Sequence, residues 1–205
     1  PFADIPQDEI DEHLVLQVIK KLASPANLIK QDSQNKIPLH LAIKRRWTDL
    51  SIFKDTLNML RTDYNLETVD DMGKTPLHYL FEEEWVVGPF LAEGVPLLMT
   101  PENILMQDTC NTTILHWCMT KLKFLECEGQ AFDNILSLVV NDNNINLVDD
   151  IWSTTPLHLA LKYSWGDHDL FHKTVKKLIS MENLNMTNNL GRTPLCTYLS
   201  EHELA

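Results

Sequence analysis

The chain has 205 residues, with 29 acidic side chains against 17 basic ones and a formal net charge of −12 at pH 7. That balance opposes nucleic-acid binding, which draws its affinity from Lys and Arg placed on phosphates. No run of about 18 apolar residues is present to cross a membrane.

From the N-terminus, Pro1-Phe2-Ala3-Asp4 lacks the basic and apolar regions of a signal peptide, and an opening residue other than Met suggests a fragment or processed form. A first helix is expected over about residues 7–23, with Ile10, Leu14, Val18 and Leu22 on one face at helical spacing. It reads as the outer half of a partial or capping repeat over residues 1–26.

Beyond it one phrase recurs five times: Lys36-Ile37-Pro38-Leu39-His40, Lys74-Thr75-Pro76-Leu77-His78, Thr112-Thr113-Ile114-Leu115-His116, Thr154-Thr155-Pro156-Leu157-His158 and Arg192-Thr193-Pro194-Leu195-Cys196. The Pro positions follow one another by 38, 38, 42 and 38 residues, a fixed period that marks a stacked repeat array. Units are expected near 27–64, 65–102, 103–143 and 144–182, with a partial one over 183–205.

Other columns keep the same register. Six residues before the Pro position stand Asp32, Asp70, Asp108, Asp150 and Asn188, and three before it stand Asn35, Gly73, Asn111, Ser153 and Gly191. Asx side chains and residues that tolerate positive φ are what a tight turn requires. Asn27, Asn65, Asn103 and Asn183 stand eleven before it, and the fourth unit slips by one residue to Asn144. Pro at the first helical position loses no intrahelical bond, and the Thr before it can cap the helix.

These motifs resemble the Thr-Pro-Leu-His unit of ankyrin repeats, whose usual length is about 33 residues. The resemblance covers about residues 27–200, although Ile37, Ile114 and Cys196 depart from the phrase. It implies an all-α ankyrin-repeat solenoid of helix-turn-helix units with β-hairpin-like finger loops. It also implies that His40, His78, His116 and His158 are structural. Leu60, Leu98 and Leu178 each lie five before the next Asn, so the residues in excess of the usual unit fall between the two helices. Trp47, Trp85 and Trp165 recur nine past the Pro position, where Lys123 breaks the series. They are expected to cap the inter-helix corner, with an aromatic ligand-binding ridge as the other reading. Gly88, Pro89, Gly94 and Pro96 predict an interrupted outer helix in the second repeat.

The function implied by the resemblance is a protein-protein interaction module that holds a partner on its finger tips and concave inner-helix face. Four before the Pro position stand Gln34, Met72, Cys110, Trp152 and Leu190, with Ile151 adjoining, and exposed apolar groups of this kind mark partner sites. Met72, Trp152 and Leu190 are the expected anchor. Asp71, Lys74, Glu82, Glu83, Lys162, Tyr163 and Arg192 are the expected polar rim. A partner with a basic or apolar segment would suit them. Stacking is also expected to set Lys44-Arg45-Arg46 beside Glu82-Glu83-Glu84 as inter-repeat charge pairs. Other readings are a targeting or regulatory arm of a larger enzyme, or a host-directed viral or bacterial factor.

No catalytic residue, cofactor or metal site is expected. His168 and His172 lie four apart beside Asp167 and Asp169, but lack the Glu and third ligand of a zinc helix. Cys196 with His202 lacks an orienting third group. Cys110, Cys118, Cys127 and Cys196 form no Cys-x-x-Cys spacing, so free thiols in the cytoplasm, or in the nucleus, are expected.

Overall fold

A computed structural model describes residues 11–121 and 129–201, apart from Ser164 and Gly166. Inner helices α3 (Pro38–Lys44), α5 (Pro76–Glu82), α7 (Ile114–Lys121), α9 (Pro156–Lys162) and α11 (Pro194–Glu201) stack as one layer. Outer helices α1 (Glu12–Leu22), α4 (Leu50–Leu60), α6 (Gly88–Leu98), α8 (Gly129–Val139) and α10 (His168–Leu178) form the second. One turn, α2 (Pro25–Leu28), precedes the first finger. Isolated helices shorter than about 12 residues are marginal in water, so these inner helices exist through packing. In α5, Leu77, Leu80 and Phe81 are wholly buried, each worth roughly 1.5–3 kcal/mol against exposure.

The repeated phrase builds the same joint each time. Thr75, Thr113 and Thr155 cap their helices by accepting from the backbone N–H of His78, His116 and His158. Each His Nδ1 accepts in return from the backbone N–H of its capping residue. Ile37 has no hydroxyl, yet its N–H still donates to His40 Nδ1 at 3.2 Å. The opposite ring nitrogen reaches the next repeat, donating to the carbonyls of Lys74, Thr154 and Arg192 from His40, His116 and His158 at 2.9–3.1 Å. His78 Nε2 faces Thr112 more loosely and has no hydrogen bond of that quality. An Nδ1 that accepts and an Nε2 that donates define a neutral ring, and burial lowers the pKa of all four, His78 to about 4.

A second joint is made by buried Asn. Asn65, Asn103, Asn144 and Asn183 donate to the last carbonyls of the preceding outer helices at Leu60, Leu98, Val139 and Leu178, five residues back. Asn65, Asn103 and Asn183 also donate to Leu28, Leu66 and Ile145 of the repeat before.

The long connections between inner and outer helices are closed by the Trp series. Trp47 and Trp165 donate through Nε1 to the carbonyls of Ala42 and Ala160. Trp85 packs edge-on against Phe53 and Phe90, and Trp165 lies against Phe132 and Phe171. These rings are corner packing, and Lys123 lies outside the described residues.

Three expectations are corrected. In α1 the side chains turned inward are Val15, Leu16 and Ile19, while Leu14, Val18 and Leu22 are exposed. Both sets have helical spacing, and contact with α4 selects between them; Ile10 lies outside the described residues. The outer helix of the second repeat is unbroken from Gly88 to Leu98: Pro89 occupies its first turn, and a Cβ at Gly94 would come within 2.8 Å of Leu80. Gly94 therefore permits close approach of α6 to α5. In the fourth finger the turn acceptor is Asp149, where Asp150 was expected, because that finger holds one residue more than the others.

Candidate partner-binding surface

Each finger is a tight loop around an Asx carboxylate or amide. Asp70 Oδ1 accepts from the N–H of Met72 and Lys74, both at 2.9 Å, and Asp32, Asp108 and Asn188 repeat the arrangement two and four residues on. Asn35, Gly73, Asn111, Ser153 and Gly191 take φ of 52–70°, so the positive-φ column is where it was expected. In the fourth finger Asp149 Oδ1 accepts from Trp152 N–H, and Oδ2 accepts from the N–H and hydroxyl of Thr154. Tyr79 donates its hydroxyl to Asp70 Oδ2 at 2.7 Å. Burial works to raise the Asp70 and Asp149 carboxyls, but these donors together hold both below the ordinary value.

Neighbouring fingers are joined at their tips. The backbone N–H of Asp71, Thr109, Asp150 and Asn189 donates to the carbonyl of Gln34, Met72, Cys110 and Trp152 in turn, at 2.9–3.1 Å. The row of tip residues is thus held in register by backbone, and its apolar members face solvent: Met72 is 51% exposed, Ile151 57%, Trp152 53% and Leu190 63%. Cys110 is half-buried.

The expected rim divides among separate places. Asp71, Met72, Lys74, Glu82 and Glu83 line one cavity of about 780 Å³ with Lys44, Asp70, Tyr79 and Glu84. Ile151, Trp152, Lys162 and Tyr163 line another of about 210 Å³ with Trp117 and Leu159. Cys110, Leu190 and Arg192 line neither of these two cavities, and Arg192 donates to Ser200 Oγ at 3.0 Å. A third cavity, apolar and about 370 Å³, lies at the N-terminal end beside Val15, Ile19, Leu41 and Trp47.

Charge is paired differently from the expectation. Among the described residues Lys44, Arg45 and Arg46 make no ion pair with Glu82, Glu83 or Glu84. Lys74 instead takes Glu82 within the same repeat at 2.6 Å and lies 5.1 Å from the Trp117 ring. Arg45 stacks on Trp47. Burial raises the Glu83 carboxyl, with Lys44 opposing at longer range. Lys121 is buried and donates to the Glu83 carbonyl, and burial lowers its pKa to about 8. Tyr79 and Trp117, missed as cavity-lining residues, occupy one column three past the Pro position. Their recurrence there in the second and third repeats was the available signal.

No three of the described His, Cys, Asp or Glu residues come together as a metal site. His168 and His172 are exposed on α10, and His202 and Cys127 lie outside the described residues. Among those residues no helix is long and apolar enough to cross a membrane.

Two stacked helical layers joined by a ladder of projecting fingers define an ankyrin-repeat fold. The chain is similar to the crystal structure of EF0377, an ankyrin repeat protein, at 18% identity and a TM-score of 0.62, covering 96% of this chain and 89% of that one. It is also similar to a chain in the structure of Bd0816, a predatory endopeptidase from Bdellovibrio bacteriovorus, in complex with immunity protein Bd3460. There the identity is 20% and the TM-score 0.61, with 92% and 86% covered. No protein-family model and no curated protein matches the sequence.

Proposed function

We propose that this chain is a protein-interaction module that holds a partner on its finger-tip row and the adjoining concave face of α3, α5, α7 and α9. The observation that carries this reading is the tip row itself. Met72, Ile151, Trp152 and Leu190 are more than half exposed, on fingers joined to their neighbours by backbone hydrogen bonds. Trp and Met are enriched at interface centres. Met72, Trp152 and Leu190 serve as the anchor, and Asp71, Lys74, Glu82, Glu83, Lys162, Tyr163 and Arg192 orient the partner around it, with Cys110 at mid-row. The similar fold in an endopeptidase-immunity protein complex favours binding as the activity. A nucleophilic role for Cys118 is disfavoured because burial pushes its thiol pKa up and removes it from solvent.

The test is partner capture by wild type and by the Met72→Ala/Trp152→Ala variant, both checked for equal helical circular dichroism. Loss of a specific partner by the folded variant supports this surface; equal capture by both overturns it.

A further inference from the structure

We infer that the partner is recognised as an extended segment in which a bulky apolar side chain and a Lys or Arg lie about five or six residues apart. The inference rests on the concave-face reading above and names the chemistry of its occupant.

The apolar end is the cavity beneath the fourth finger, walled by Trp117, Trp152, Tyr163, Leu159 and Ile151. Its 210 Å³ corresponds to about seven waters, enough for one aromatic or leucine side chain. The extra residue of that finger sets Ile151 beside Trp152, so the mouth carries two exposed apolar side chains where the second and fifth tips carry one, Met72 and Leu190. An aromatic cavity with an apolar lip gains from a side chain that removes both from water.

Charge supplies the second requirement. The cavity between the first and second fingers carries Asp70, Asp71, Glu82, Glu83 and Glu84 against Lys36, Lys44 and Lys74. Lys74 is spent on Glu82, and Lys36 on Gln34. Asp70 is occupied by its own finger and Tyr79. Asp71 accepts from Asn35, which leaves Glu83, half-buried, with Glu84 beside it; neither makes an ion pair among the described residues, and Lys44 acts on Glu83 only at longer range. A carboxylate that has lost solvent without gaining a contact ion pair favours an incoming cation over an anion.

The two cavities sit two repeats apart on one face. Packed helices lie about 8–10 Å apart, so the separation is roughly 16–20 Å. An extended chain rises about 3.3 Å per residue, which five or six residues cover.

The experiment is selection of a library of random twelve-residue peptides on the purified chain, followed by fluorescence polarisation of the enriched peptides. Expected are sequences pairing Trp, Phe or Leu with Lys or Arg five or six positions away. Trp152→Ala should weaken their binding about tenfold or more. Glu83→Gln with Glu84→Gln should weaken it roughly three- to tenfold, and only for peptides that keep the cation. Enrichment of acidic or purely apolar peptides, absence of the spacing, binding indifferent to both variants, or no enrichment each overturns the inference. Failure here with capture still lost in Met72→Ala/Trp152→Ala leaves the interaction surface standing and removes only this occupant. Equal capture removes both.

Discussion

The second and fourth fingers share a scaffold and differ in what their central carboxylate does. Asp70 serves two backbone donors with one oxygen and keeps the other for the Tyr79 hydroxyl, tying the finger to the inner helix. Asp149 spans a loop longer by one residue and spends both oxygens on it, and Leu159 stands where Tyr79 does. The second finger is thus tethered to its helix and carries one exposed apolar tip residue, Met72, and the fourth is wider and carries two, Ile151 and Trp152. A one-residue insertion is absorbed inside the loop, with the His joint below it and the backbone ladder beside it intact.

The largest effect should come from what the two fingers share. The imidazoles of His40, His78, His116 and His158 are held below 6.5, so the unfolded chain takes up protons first as the medium is acidified. Their contribution is complete above pH 6.5 and is lost as pH falls toward the folded values. For His78 the window runs from 6.5 to about 4 and the loss is roughly 3 kcal/mol. Urea unfolding at successive pH values should show the decline; a flat profile from pH 7 to 4.5 would contradict the neutral-ring joint. The low Asp70 and Asp149 carboxyls add a further loss only as pH drops below the ordinary carboxylate value.

Asn substitution separates the fingers. Asn188 already shows that one amide oxygen suffices for a finger of ordinary length. Asp149→Asn should therefore cost about 1–3 kcal/mol, because one of the two oxygens its loop uses is replaced by a donor, and Asp70→Asn less than half as much. Equal shifts in urea midpoint would refute the difference. Next comes Tyr79→Phe, expected to cost about 1 kcal/mol through the Asp70 bond in the same assay. Smallest of all, Met72→Ala and Trp152→Ala should each stay within about 0.5 kcal/mol of wild type, since both tips are exposed and hold no other element. A large loss for Trp152→Ala would mean that the wide finger depends on its tip for folding.

Much of this was readable from residues because columns in a repeat are chemical requirements repeated five times. Positive φ at Asn35, Gly73, Asn111, Ser153 and Gly191 follows from residue type, and the structural His was implied by the ankyrin resemblance, while the Asn column was visible without its bonds. What escaped depends on neighbours. Periodicity allowed α1 two faces, and only contact with α4 selects Val15, Leu16 and Ile19. Asp149 and Asp150 are adjacent carboxylates, and loop length rather than residue type decides between them. Glu82 was matched by column to Lys44, yet Lys74 of its own repeat is within reach first. The tip row was visible as one offset from Pro, whereas its division into an acidic and an aromatic cavity arises from Tyr79, Trp117 and Glu84, which only the stacking of the repeats brings into the cavity linings.

The ladder that joins the fingers also shapes how the surface can evolve. The carbonyls of Gln34, Met72, Cys110 and Trp152 are already taken by the next finger, so along this stretch a visiting strand finds no free backbone edge to extend. On the proposed interaction surface recognition is left to the side chains, and those of Met72 and Trp152 are exposed. Met72 and Trp152 can be exchanged, one finger at a time, above an unchanged backbone ladder, so on the proposed surface binding preference can drift without passing through an unfolded intermediate sequence.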